Sequence, residues 1–115
     1  MFLLRGDAKY LDVLERTFYN GLLSGVAVSG DRFFYPNPLA SDGVWAFNMD
    51  EGATRSPWFA CSCCPTNVVR FMPSLPGYVY AVGGDTLYIN LFVSCRALLS
   101  VGQTDVHITQ ETRYP

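Results

Sequence analysis

Apolar residues recur at spacings of three and four early in the chain, at Leu11, Leu14, Phe18 and Leu22. That spacing predicts one face of a helix, and Asp12, Glu15 and Arg16 fall on its polar side. Asp7, just after the helix breaker Gly6, is a fitting N-cap because its carboxylate can accept a free amide of the first turn. Gly21 and Gly25 bracket the end of this helix. The residues before Gly6, Met1 to Leu4, read as the middle of an apolar helix that has no cap.

Further on, Val26 to Val28, the turn Ser29-Gly30-Asp31 and Phe33-Phe34-Tyr35 predict a short hairpin. Pro36-Asn37-Pro38 stops it, because proline cannot donate to a ladder. Residues 40–56 are polar and contain glycine, with Trp45 and Phe47 as isolated anchors, and read as a loop. Pro65 suits a first helical position, where its missing N–H has no partner to lose. A helix through Val68, Val69 and Met72 should then run to Pro73 or Pro76.

After Gly77 the period changes from helical to alternating. Tyr78 to Val82, the turn Gly83-Gly84-Asp85 and Thr86 to Ser94 predict a hairpin with Leu87, Ile89, Leu91 and Val93 on one face. The class is thus α+β, with a boundary that leaves residues 1–76 in one domain and residues 77–115 opening another. The last eleven residues, Asp105 to Pro115, alternate like one hairpin arm with no returning strand. A lone arm leaves its ladder groups unpaired. With the uncapped start, this predicts an internal piece of a longer protein, Met1 being an internal methionine.

Composition narrows the partners. Half of the 115 residues are hydrophobic and 16% are charged, which is a core-forming rather than a disordered balance. The net charge is −2 and the eight Lys and Arg are scattered singly, so no basic stripe exists to meet a nucleic-acid backbone. No apolar run reaches the roughly 20 residues of a membrane span. Met1 to Leu4 is cut off by Arg5, Gly6 and Asp7 too early for a signal peptide.

Three of the four cysteines sit in Trp58-Phe59-Ala60-Cys61-Ser62-Cys63-Cys64-Pro65, and the fourth is Cys95. A helix N-terminus offers partial positive charge and free amides, which favour a thiolate, the form that attacks carbon or binds zinc. Burial as small apolar residues, or disulfide pairing, is the plain alternative. Neighbouring Cys63 and Cys64 could scarcely pair with each other, however, and Cys95 alone is too few to cross-link all three. Tetrahedral zinc accepts closely spaced thiolates, although the C-x-x-C pairs of ordinary structural sites are absent.

Other chemistry finds little support. His107, the single histidine, lies in the alternating terminal segment and reads as a half-exposed strand residue. No Gly-rich phosphate loop follows a strand, because Gly83-Gly84-Asp85 is better explained as a hairpin turn. Glu15 falls on the solvent side of its helix and Glu51 in the loop, so neither reads as half of a carboxylate pair.

The run Arg55-Ser56-Pro57-Trp58-Phe59-Ala60-Cys61-Ser62-Cys63-Cys64-Pro65-Thr66-Asn67 resembles the signature of glycoside hydrolase family 127. So do Leu11 to Arg16, Tyr19-Asn20-Gly21-Leu22, Phe33 to Pro38 and Pro76 to Tyr80. The resemblance implies the last helices of an (α/α)6 barrel followed by the first strands of a β-sandwich. It implies a retaining glycosidase that releases β-L-arabinofuranose from arabinose-containing oligosaccharides or glycans. Cys63 would be the nucleophile, and Cys63 and Cys64 zinc ligands in a site of three cysteines and a glutamate. Tyr35 would contact substrate and Cys61 would only pack.

A thiolate attacks carbon well but leaves it poorly, and a bound zinc ion helps on both counts. The other ligands, a Glu-x-Cys pair, the acid/base glutamate and the histidines around the sugar would lie upstream of Met1, so this chain alone is not expected to catalyse. Free thiolates favour a reducing cytoplasm, and a homodimer of the full-length parent is compatible with the resemblance. Two readings compete with it: a structural zinc module built on Cys61, Cys63, Cys64 and Cys95, and a non-catalytic carbohydrate-binding module.

Overall fold

A computed structural model describes residues 1–61 and 63–114. The chain divides into two compact units, Asp12–Met72 and Met1–Leu11 with Pro73–Pro115. In the latter, helix α1 (Phe2–Arg5) ends at Gly6, whose left-handed φ of 65° lets its amide reach the Phe2 carbonyl at 2.7 Å. The Phe2 ring meets Tyr88 edge-on at 5.5 Å. Helix α2 (Lys9–Arg16) follows, and Asp7 caps it as expected: its Oδ1 accepts the Lys9 amide at 3.1 Å.

The predicted helix does not stay α-helical to Leu22. Thr17–Leu22 winds as a π-helix and Leu23–Gly25 as a 3-10 turn. The reason is competition for carbonyls. The Thr17 hydroxyl donates to Val13 O at 2.7 Å, Asn20 Nδ2 to Arg16 O at 3.2 Å, and the Ser24 hydroxyl to Asn20 O at 2.6 Å. The apolar stripe still faces inward. Phe18 is buried, with its ring against Tyr19 and Phe71.

The Val26–Tyr35 hairpin is reduced to single bridges. Phe33 pairs with Val26 on one side and with Ser56 on the other. The turn forms around Gly30, at φ 78°, but Pro36 and Pro38 prevent a ladder from extending. Helix α3 (Thr66–Phe71) begins one residue later than expected, with Pro65 as its cap, and a 3-10 turn at Met72–Ser74 follows.

Helix α4 (Pro76–Val79) takes two residues that alternation assigned to a strand, because Pro76 fixes the first helical φ and the Tyr78 amide closes onto Leu75 O at 2.9 Å. Strand β1 (Tyr80–Gly83) therefore starts later and pairs antiparallel with β2 (Thr86–Ile89) across the expected turn. Strand β2 is shorter than predicted. The Asn90 amide turns back to Val79 O at 2.8 Å, and Leu91 then drops into the core at 1% exposure.

The terminal arm is not alone. Strand β4 (Thr104–Gln110) pairs antiparallel with β3 (Cys95–Val101), from Cys95↔Gln110 to Val101↔Thr104. The expectation of an unreturned arm is corrected: its partner precedes it. The fold is a small α+β arrangement with two two-stranded antiparallel sheets. Among the described residues, no helix is long and apolar enough to cross a membrane.

Candidate active site

The cysteine cluster and Tyr35 meet within the unit Asp12–Met72. Phe33 exchanges amide and carbonyl bonds with Ser56, both at 3.0 Å, which lays the Phe33–Tyr35 segment beside the one entering Trp58–Cys64. Aromatic packing then fixes their spacing. Phe59, 4% exposed, has its ring 5.5 Å from Phe33 and 5.4 Å from Tyr35. Trp58 covers the other edge of Phe33 at 6.2 Å.

This packing brings the Tyr35 hydroxyl to 2.9 Å from Cys63 Sγ and 3.7 Å from Cys61 Sγ. The Cys61 thiol donates to Cys63 Sγ at 3.5 Å, and Cys63 and Cys64 sulfurs stand 3.8 Å apart. All three thiols are free and exposed. Cys61 thus belongs to the cluster; it does not fill a core. Hydrogen bonding with Cys63 first, then with Cys61 and Cys64, holds the Tyr35 phenol far above its ordinary range. The group facing the sulfurs therefore remains an O–H.

The turn into α3 is anchored from behind. The Thr66 hydroxyl donates to Cys63 O at 2.9 Å, and the Asn67 amide to Cys64 O at 3.0 Å. Both sulfurs consequently project from a backbone that is tied down at its carbonyls. Two sulfurs bound tetrahedrally at ~2.3 Å from zinc lie ~3.8 Å apart, and the Cys63–Cys64 separation meets that requirement. Among the described residues, no group of three or more His, Cys, Asp or Glu side chains forms a metal site.

Cys95 has different surroundings. It sits on β3, where its Sγ lies 3.3 Å from the Tyr80 hydroxyl and 3.6 Å from Gln110 Nε2. Burial, followed by the Cys95 contact, raises the Tyr80 phenol. His107 lies exposed on β4 opposite Leu98, in keeping with an ordinary strand residue.

One residue of the site was not legible in the sequence. Asn48, 5% exposed, is the buried polar side chain of this region. Its Oδ1 accepts the Tyr35 amide at 2.8 Å while its Nδ2 donates to Thr54 O at 3.0 Å. Arg55 braces the adjacent Phe34, with its guanidinium 4.3 Å from the ring centroid and a bond to Ser24 O.

The sequence model of the β-L-arabinofuranosidase catalytic domain of GH127 matches residues 1–77. The chain is 31% identical, over 97% of its length, to a non-reducing end β-L-arabinofuranosidase of Bifidobacterium longum subsp. longum, of which it covers 17%. A solved structure described as a GH127 β-arabinofuranosidase is 58% identical, over 99% of this chain and 17% of that one, with a TM-score of 0.81. A GH127 β-L-arabinofuranosidase from Geobacillus stearothermophilus T6 is 38% identical, over 100% of this chain and 19% of its own, also at 0.81. This chain therefore spans less than a fifth of the length of these relatives. With 77 of its 115 residues under the family's catalytic domain, and relatives of that family matching almost its whole length, the chain belongs to glycoside hydrolase family 127.

Proposed function

We propose that the protein carrying this chain is a retaining β-L-arabinofuranosidase acting on arabinose-containing oligosaccharides or glycans, with Cys63 as its nucleophile. The observation that carries this reading is the exposed Cys63 sulfur, held 2.9 Å from the Tyr35 hydroxyl and 3.8 Å from the Cys64 sulfur. In this reading residues 1–76 are the last helices of an (α/α)6 barrel and residues 77–115 open a β-sandwich.

The Cys63 thiolate attacks the anomeric carbon, and the carbon–oxygen bond to the departing group breaks. A carboxylic acid protonates that oxygen. Water then displaces the sulfur and gives its proton to the same carboxylate, so two inversions restore the starting configuration. Cys63 and Cys64 would hold a zinc ion, whose soft Lewis acidity favours the ionised sulfur. Tyr35 donates its hydroxyl hydrogen to the sulfur when the thiol is ionised, and in doing so fixes the direction of attack. The acid and the remaining metal ligands belong, in this reading, to the rest of the protein.

The test uses the full-length protein and an aryl β-L-arabinofuranoside. Turnover should disappear in Cys63→Ser, and an arabinofuranosyl haloacetamide should label Cys63 alone, as read by peptide mass spectrometry. Label on Cys61, or near-normal turnover by Cys63→Ser, would overturn the assignment.

A further inference from the structure

The Tyr35 hydroxyl can meet the Cys63 sulfur only if the Tyr35 backbone is held still, and regular secondary structure does not hold it. Tyr35 lies beyond the isolated bridges at Phe33 and directly before Pro36. Its amide has no strand to pair with. Asn48 supplies that partner from 13 residues away, Oδ1 to the Tyr35 amide at 2.8 Å.

Asn48 is itself clamped. Nδ2 donates to Thr54 O at 3.0 Å, its amide reaches Gly52 O at 3.0 Å, and its carbonyl accepts the Glu51 amide at 3.0 Å. The side chain is 5% exposed, so its bonds are not traded against water. A buried amide in that position has one orientation that satisfies both ends, with oxygen toward Tyr35 and nitrogen toward Thr54.

We infer that Asn48 is a positioning residue for the reaction proposed above: it sets the Tyr35 hydroxyl on the Cys63 sulfur. The inference rests on that reading for its kinetic consequence but not for its chemical one, because contact between a hydroxyl and a sulfur changes thiol reactivity toward any electrophile. Removing the acceptor frees the Tyr35 backbone, and a displacement of about 1 Å at such a contact can cost on the order of 100-fold in rate.

The full-length protein is prepared as wild type, Asn48→Ala, Asn48→Asp, Tyr35→Phe and both Asn48 variants combined with Tyr35→Phe. Asn48→Asp keeps an acceptor toward Tyr35 but sets a carboxylate oxygen against Thr54 O in place of the donor, a buried charge and a repulsion that Asn48→Ala does not carry. Two assays are run: steady-state kinetics on the aryl arabinofuranoside, giving kcat and KM, and the rate of Cys63 carbamidomethylation by iodoacetamide at one fixed pH. Asn48→Ala is expected to lower kcat about 10-fold or more with a smaller change in KM. Both readouts should show non-additivity, each double variant matching Tyr35→Phe alone.

Additive losses, or an Asn48→Ala that keeps wild-type rates in both readouts, would overturn the inference. If Asn48→Ala does not fold, Asn48→Asp in the two Tyr35 backgrounds decides by the same additivity. A wild type without arabinofuranosidase activity sinks the functional reading only, and the iodoacetamide rates still test Asn48.

Discussion

Residues 12–72 and residues 73–114 are held together by different kinds of hydrogen bond. In the second region the backbone pairs with itself, in the continuous register from Cys95↔Gln110 to Val101↔Thr104 and in the shorter β1–β2 ladder. In the first, single side chains finish what the backbone leaves open: Asn48 for Tyr35, Thr66 for Cys63, Arg55 for Ser24. A ladder repeats one solution along its length and tolerates change at many positions. A loop held by individual side chains places a few atoms where a ladder could not, and it depends on each of them. That is a reason for chemistry to sit on loops beside a regular scaffold.

The sharpest break of this comparison lies at the sulfurs. Cys63→Ser replaces an ionisable thiol by a poorly ionised hydroxyl, and losing the proposed nucleophile should cost several orders of magnitude in rate. Cys64→Ser keeps the proposed attacking sulfur and, under the proposed zinc ligation, should instead lower the zinc content of the full-length protein, with partial recovery on added zinc. Metal analysis beside initial rates separates the two. Equal rescue of both variants would contradict the division of roles.

In the laddered region the largest effect should be on stability and should come from Leu91, the most buried side chain described there, at 1% exposure. Leu91→Ala is expected to cost about 2–5 kcal/mol, read as a lower denaturation midpoint. A loss below about 1 kcal/mol would mean that the site collapses around the smaller side chain and that the ladder, not the core, holds this region.

Next in size is Gly102, which turns β3 into β4 at φ 59°. A Cβ there would also crowd Asp85, its nearest atom being Oδ1. Gly102→Ala should therefore cost roughly 1–2 kcal/mol for the left-handed backbone. Gly77 in α4 serves as the control, with nothing within 4 Å of a built Cβ and no positive φ. There the same change should be neutral or stabilising by about 0.5–1 kcal/mol. Equal destabilisation at both glycines would remove the conformational explanation.

How far the sequence could be read follows the same divide. Alternation over Asp105 to Pro115 is legible in the sequence, but the partner strand is not, because adjacent Leu98 and Leu99 hide the period in β3. Only Leu99 shares the inner face with Ala97 and Val101; Leu98 stays exposed opposite His107. Spacings of three and four announced the first helix yet could not distinguish an α from a π winding, which Thr17 and Asn20 decide through their carbonyl bonds. Tyr35, Cys63 and Cys64 stood out through local motifs. Asn48 did not, since a buried asparagine in a polar, glycine-containing loop looks like any turn residue. Its importance arises from an amide 13 positions away, and no local pattern encodes that.

The smallest expected effect concerns acid. Three aspartates of the loop region are held below their usual range by local donors: Asp50 by the Ser56 hydroxyl and the Gly52 amide, Asp42 by the Trp45 and Val44 amides, Asp31 by the Ser29 hydroxyl. A fourth, Asp7, is lowered by Lys9 at the start of α2. A carboxylate whose folded pKa lies below the unfolded value of about 3.9 stabilises the fold above that value. That contribution is lost as pH falls through the folded pKa, so the window lies below about pH 4. Each of these groups is solvent-exposed, and screening keeps each effect small.

Asp50 is the informative one, because its partner Ser56 carries the backbone bridge to Phe33. Protonating it should loosen residues 48–56, the segment that also holds Asn48. Amide hydrogen exchange at pH 5 and pH 3, corrected for intrinsic rates, should show lost protection at Gly52 and Ser56 while the amides of β3 and β4 keep theirs. Asp50→Asn, which cannot titrate, should show the same protection at both pH values. An unchanged pH response in that variant would mean that acid acts on the loop through some other group.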